Sequence, residues 1–198
     1  MRKLILQVQL SIDGFIAEPN GATDWLVWKN WDDQWNWDSE LKNYFNSIAK
    51  SVDCILLSSK MAEGGFIAHW KQAAENPTDP RFEYARWVND THKVVFTKTL
   101  KKSKWENIDV ANGDLATEIK SLKKKTGKNI IVYGGAAFVS SLIKEGLIDE
   151  FQLFVNPTVL GNGLTIFNGI KEKQNLRLIK AHGYDCGIVV QHYEPQKT

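Results

Sequence analysis

Ile130-Ile131-Val132-Tyr133-Gly134-Gly135-Ala136-Ala137-Phe138 joins an apolar run to a glycine pair and then to small residues that open a helix-forming stretch. Glycine lacks a Cβ, so a backbone at this pair can approach a ligand closely and adopt conformations closed to other residues. The unpaired N–H groups and positive dipole end of a following helix attract an anion such as a diphosphate. A glycine pair alone more often marks only a tight turn. The pattern is neither the Gly-x-Gly-x-x-Gly of a Rossmann dinucleotide site nor a triphosphate loop with Gly-Lys-Ser/Thr. Two further apolar runs end in hydroxyls and a cation, Ile55-Leu56-Leu57-Ser58-Ser59-Lys60 and Phe96-Thr97-Lys98-Thr99. Each pair taken singly reads equally as a helix cap beside a solvated lysine. Three such ends at equivalent places point to one shared anionic ligand, because an open α/β sheet binds ligands beyond the carboxyl ends of its strands.

The second chemical concentration is aromatic and acidic. Trp25, Trp28, Trp31, Trp35 and Trp37 crowd one segment with Asp24, Asp32, Asp33 and Asp38. One reading is a wall on which a planar heterocycle stacks while carboxylates take its N–H donors, the whole excluding water from a hydride path. The other is a hydrophobic lid or a dimer contact. Asp13 and Asp24 are candidates to polarise or protonate a substrate, although loop carboxylates commonly just form turns. Metal chemistry has no recognisable set: His69, His92, His182 and His192 are scattered, and there is no Cys-x-x-Cys or His-Glu-x-x-His. Cys54 and Cys186 lie in separate apolar runs and read as reduced thiols.

These residues need elements to hold them. Leu4 to Leu10 alternates as a strand, and Val52 to Leu57, Lys93 to Thr97 and Asn129 to Tyr133 are strand-like runs, with a brief one at Ile108 to Val110. Helical spacing marks Ser39 to Lys50, a region from Lys60, Phe82 to Asn89, Asp114 to Lys125 and Ala136 to Glu145. The alternation predicts one α/β domain over 1–198 with a mostly parallel sheet covered on both faces. From Glu150 onward there is no room for crossover helices, so the tail strands, near Leu176 to Lys180 and Gly187 to Tyr193, are expected to be antiparallel. The chain of 198 residues is 43% hydrophobic and carries a net charge of +2, which gives no electrostatic case for nucleic acid or a membrane surface. Lys98 to Lys104 and Lys123-Lys124-Lys125 read as solvated faces. With no signal segment and no run of about 18 apolar residues, a cytoplasmic location is expected.

Six motifs stand in an order that resembles the dihydrofolate reductase-like family, in the branch related to the riboflavin biosynthesis reductase domain. They are Ser11-Ile12-Asp13-Gly14-Phe15-Ile16-Ala17, Gly21-x-x-Asp24-Trp25, Leu57-Ser58-Ser59-Lys60, Val132-Tyr133-Gly134-Gly135-Ala136, Gly146-Leu147-Ile148-Asp149-Glu150 and Pro157 to Gly163. The resemblance implies a sheet flanked by helices, NADPH as cofactor and commonly a homodimer. Carried over by motif, Gly134, Gly135, Ala136 and Ala137 would hold the diphosphate, and Ser59 and Lys60 stand where the family usually has Gly-Arg. Thr97 and Lys98 stand where a Ser-Arg pair often recognises the 2′-phosphate, and Ile16 and Ala17 would lie along the nicotinamide. Trp25, Trp28 and Asp38 fall on the substrate side, with Glu40 near enough to Asp38 that the gripping carboxylate is left open between them. Ala62 replaces a frequent Thr, and Gln7 replaces a Lys common in biosynthetic riboflavin reductases, so the substrate is left open among a pterin, an aminopyrimidine intermediate and another small heterocycle. The expected function is NADPH-dependent hydride transfer to such a molecule. The alternative is a non-catalytic NADP(H) or nucleotide sensor on the same pocket.

Overall fold

The structure is a computed structural model that describes residues 1–27 and 37–196. Leu4–Leu10 forms β1, which lies between two parallel neighbours and is buried along nearly its whole length. After it come α1 (Ser39–Lys50), β2 (Val52–Ser58), a single turn α2 (Ser59–Met61), a π-helical stretch (Ala62–Phe66) and α3 (Ile67–Ala74). Next are α4 (Phe82–Asp90), β3 (His92–Phe96), β4 (Ile108–Ala111), α5 (Leu115–Lys124), β5 (Asn129–Val132) and α6 (Ala136–Lys144). The last elements are β6 (Glu150–Val155), β7 (Leu176–Gly183) and β8 (Val189–Pro195).

The eight strands make one sheet in the order β4-β3-β2-β5-β1-β6-β8-β7. The chain builds outward from β2 to β4, returns to insert β5 between β2 and β1, then places β6 on the far side of β1. All pairings from β4 through to β6 are parallel. The tail strands pair antiparallel, as expected. β8 runs against both β6 and β7, but β6 itself pairs in parallel with β1, because α6 supplies the crossover that carries the chain back.

Two apolar layers sandwich the sheet. On one face Leu41, Phe45 and Ile48 of α1, Trp70 of α3 and Tyr84 and Val88 of α4 cover Ile5, Ile55, Ile131 and Phe154. On the other, Ile119 and Leu122 of α5 and Val139, Leu142 and Ile143 of α6 cover Leu4, Leu6, Leu56 and Val132. Strands covered on both faces need apolar residues at every position, which is why β2 and β5 read as continuous apolar runs. Cys54 lies in this core, and burial pushes its thiol up to about 11, as an inert packing group requires.

Lys123 corrects the expectation of a solvated lysine triplet, and Lys93 is a second buried cation. Lys123 is only 7% exposed, and its ammonium donates to the Leu147 carbonyl at 2.7 Å and pairs with Asp149 at 2.5 Å. Lys93 is 4% exposed and donates to the Asn89 and Thr91 carbonyls, closing the C-terminus of α4; burial draws its ammonium down to about 8. Asp149 also accepts the Leu4 amide at 2.7 Å, so one carboxylate ties α5, the turn after α6 and the start of β1. Replacing Asp149 with Ala leaves a buried ammonium without its counter-ion and an amide without its acceptor. The expected loss is about 2 kcal/mol of unfolding free energy by urea denaturation, below the full cost for a buried pair because Asp149 is one-third exposed. Asp149→Asn, which keeps an acceptor for Leu4, should lose less.

Candidate active site

Parallel pairing brings the carboxyl ends of β3, β2, β5 and β1 to one edge in that spatial order. Three strand spacings span about 14 Å, the reach of an extended ligand rather than a single phosphate. The three segments marked by the sequence, with Ile16 and Ala17 after β1, therefore share one edge.

The glycine turn after β5 is built for close approach. Gly135 has φ 82° and caps α6, and a Cβ on it would stand 3.0 Å from the Ser58 hydroxyl, so β2 and the turn are in near contact there. Gly134 has no such neighbour: a Cβ on it would meet no atom within 4 Å. Among the described residues, no backbone carbonyl takes the amides of Gly134, Gly135, Ala136 or Ala137. Free donors, a helix N-terminus and open space at Gly134 fit a diphosphate, so these residues would hold that part of NADPH.

The hydroxyl–lysine ends are less alike than their sequences. Ser58, not Ser59, caps the turn of α2, taking the Met61 amide at 3.2 Å; Ser59 is half-buried and Lys60 exposed. The Thr97 hydroxyl is committed to its own turn, accepting the Thr99 and Leu100 amides at 3.1 and 3.3 Å. Lys98 is exposed and donates to the Gly113 carbonyl at 3.0 Å. Of the Thr97–Lys98 pair, the lysine is the exposed donor, whereas Thr97 is buried with its hydroxyl 3.2 Å from that of Thr99.

The carboxylates singled out as acids fare differently. Asp13 accepts the Ser11 hydroxyl at 2.6 Å and the Gly161 amide at 2.7 Å; the Ser11 bond first, then these amide bonds against a small burial penalty, holds its carboxyl below the usual range. A carboxylate that accepts such donors is favoured in its ionised, proton-accepting form. Asp24 is exposed. Asp38 caps α1, accepting the Leu41 amide at 2.9 Å; burial raises its carboxyl, but amide hydrogen bonds from Leu41 and Cys186 outweigh it and leave the net shift downward. Glu40 is exposed and lies 3.3 Å from His182. Trp25 is half-buried with its indole N–H enclosed, whereas Trp28, Trp31 and Trp35 lie outside the described residues.

Two residues outside the expected cofactor and substrate set lie beside it: Gln7, which stands where related reductases often have Lys, and Tyr133. Gln7 of β1 is 3% exposed, and its Nε2 is enclosed without a partner. The hydroxyl of Tyr133 is enclosed as well, with Tyr84 beside it; burial first and that neighbour second hold its phenol well above the usual value. Leu6 pairs with Val132, so Gln7 and Tyr133 are on neighbouring rungs, facing the α1 side. The apolar alternation of β1 gave no warning, since a buried amide and an exposed one look alike in sequence.

Two other places carry none of these residues. A cleft of about 490 Å³ lies between α1 and the loop before α4, lined in part by Ser39, Asn46, Pro77 and Glu83. At the opposite edge of the sheet Glu150, His192 and Glu194 bring ligand atoms within 4.8 Å of one another, but Lys3 already pairs with both glutamates, at 2.5 and 3.1 Å. That group is an ion-pair cluster with its own cation.

The model of the RibD C-terminal domain matches residues 2–190. The Bacillus subtilis (strain 168) protein YyaP, itself uncharacterized, is 31% identical over 190 residues, covering 95% of this chain and 92% of YyaP. The riboflavin biosynthesis protein RibD of Aquifex aeolicus (strain VF5) is 23% identical over 92% of this chain, which spans 56% of that protein. A crystal structure of a provisionally assigned riboflavin biosynthesis protein from Shewanella sp. PV-4 superposes with a TM-score of 0.72 at 20% identity, covering both chains completely. With the family model matching nearly the whole chain and a relative 31% identical over 95% of it, the chain belongs to the RibD C-terminal domain family, the dihydrofolate reductase-like reductase family related to riboflavin biosynthesis.

Proposed function

We propose that this protein is an NADPH-dependent reductase that transfers hydride to a small planar heterocycle of the pterin or aminopyrimidine class. The observation that carries the reading is the glycine turn, with its free amides and the open space at Gly134. The family typically uses NADPH. When bound, the cofactor supplies the hydride; the chain has to hold it and align the acceptor carbon, which is a matter of positioning rather than of reactive side chains. Gly134 to Ala137 take the diphosphate, Ser59 and Lys60 flank it, and Lys98 is the cation available for a 2′-phosphate. Ile16 and Ala17 form the wall along the nicotinamide. Trp25 and Trp28 belong to the substrate side, with Asp38 acting through α1, which it caps.

A sensor that binds NADP(H) without turnover is the second reading. It is favoured by the state of Asp13 and Asp38, both held ionised and neither able to donate a proton at neutral pH. Oxidation of NADPH with any member of a pterin and aminopyrimidine panel excludes it.

The glycine pair gives a test in which stability and binding separate. Gly134→Ala should leave Tm unchanged, because the new methyl meets no protein atom, yet weaken NADPH about tenfold or more in a tryptophan-fluorescence titration. Unaltered affinity in a normally folded Gly134→Ala protein would sink the site. Gly135→Ala should lower both Tm and affinity, since φ 82° and the Ser58 hydroxyl oppose a side chain.

Lys98→Met should weaken NADPH by about tenfold, the worth of one charge-assisted hydrogen bond, and leave NADH nearly untouched. Equal losses for both cofactors would remove Lys98 from 2′-phosphate recognition.

Homodimer assembly belongs to the same proposal. The edge strand β7 exposes Leu178 at 52% and Ile179 at 41%, apolar area that a second copy would cover. Light scattering at micromolar concentration should give twice the chain mass, and Leu178→Glu should lower it; a monomer mass for the unaltered protein rejects the dimer.

A further inference from the structure

Beyond the end of β1 the chain turns sharply, and this turn is sewn to a second loop far along the sequence. The Ser11 amide donates to Phe15 at 2.8 Å, and the Ser11 hydroxyl takes the Phe15 amide at 3.0 Å, closing the turn around Gly14, whose φ is 85°. The Ile12 amide then donates to the Thr158 carbonyl at 2.8 Å. At the other end of the seam, Ile16 donates to Leu164 and Leu164 donates to Ala17, both at 2.8 Å, making a two-residue antiparallel bridge. Gly163 is packed so tightly there that a Cβ would run into the Ala17 carbonyl and the Phe15 ring.

Between these two ends lies Asp13. Its Oδ2 takes the Gly161 amide at 2.7 Å and its Oδ1 the Leu160 amide at 3.2 Å, while the Ser11 hydroxyl donates to Oδ1 from its own side of the seam. The carboxylate thus collects three donors from both loops, which favours its ionised form. Backbone amides of an irregular loop are otherwise satisfied by water, so an anion that gathers two of them fixes the loop's course.

We propose that Asp13 is a positioning residue: its carboxylate clasps the 158–161 loop to the turn after β1 and so holds Ile16 and Ala17 in place as the wall of the cofactor site. What the wall faces rests on the NADPH reading; the clasp itself does not. Asp13 acts through Ile16 and Ala17 and does not deliver a proton to substrate.

Hydrogen exchange on the ligand-free protein, with NADPH titration by tryptophan fluorescence, tests this. Asp13→Ala should exchange about tenfold faster at the Leu160 and Gly161 amides, with the effect reaching Ile16 and Leu164. Its NADPH affinity should fall about fivefold or more. Asp13→Asn should restore most of both, because its amide oxygen still accepts from Gly161 and its nitrogen can donate to Ser11. Gly163→Ala should reproduce the loss at Ile16 and Leu164 with Asp13 intact, and it carries the test if Asp13→Ala fails to fold. Unchanged exchange at Ile16 and Leu164 in folded Asp13→Ala overturns the proposal. So does an Asp13→Asn protein that binds NADPH normally but has lost turnover, the signature of an acid. Should the unaltered protein bind no NADPH, the reductase reading falls while the exchange data still judge the clasp.

Discussion

Because β4, β3, β2, β5, β1 and β6 all pair in parallel, each delivers its chain to the same edge of the sheet, and the returning connections are consigned to the two faces or to long excursions. Every feature of the candidate site follows from that constraint. Loops at 11–17, 58–60, 97–99 and 133–137 are far apart in sequence, yet neighbouring strands place them side by side. The insertion of β5 between β2 and β1 puts the glycine turn in the middle, with lysine-bearing ends to one side and the Ile16–Ala17 wall to the other. The strand order is what brings these pieces together.

The two edges of the sheet use polar groups in opposite ways. At the amino edge, charges are paired off within the protein: Arg2 with Asp53, Lys3 with Glu150 and Glu194, and Lys123 with Asp149. Lys93 is spent on the end of α4. These contacts tie strand starts to neighbouring elements and leave little for a ligand to bind. At the carboxyl edge the amides of the glycine turn stay free, and Lys60 and Lys98 are exposed. Such a division is how a rigid sheet can support an incomplete, ligand-ready edge: stability is concentrated where no chemistry is needed.

Much of the architecture was legible because strands buried on both faces cannot avoid apolar runs, and helices with one buried stripe cannot avoid their period. Val52 to Ser58 and Asn129 to Val132 announce themselves in that way, and Asp114 stands at the start of the helix read there, whereas Asp38, read as a substrate-side carboxylate, proves to cap α1. What was not legible depends on partners distant in sequence. Lys123 in a lysine triplet looks solvated until Asp149 and the Leu147 carbonyl are folded against it. Asp13 looks like a free loop acid until Leu160 and Gly161, nearly 150 residues away, turn their amides toward it. The parallel pairing of β6 was hidden for the same reason: α6 was visible as a helix, but its role as the crossover beneath the tail depends on which strand receives the chain.

Gln7 and Tyr133 bring polar atoms into the buried layer beneath α1. An amide donor enclosed without a partner costs about 1–3 kcal/mol, and apolar packing gives no reason to keep it. Hydrophobic side chains of similar size would fill the space at no such cost, as Ile5 and Ile131 do one step earlier on the same face. The next rungs are polar too: Gln7 pairs with Gln152, and Gln152 accepts the Tyr44 hydroxyl of α1 at 2.7 Å. That second amide has found its partner while the first has not. Among the described residues, β1 thus keeps an unpaired amide donor on its α1 face, one rung before the glycine turn, where apolar packing alone would favour an aliphatic side chain.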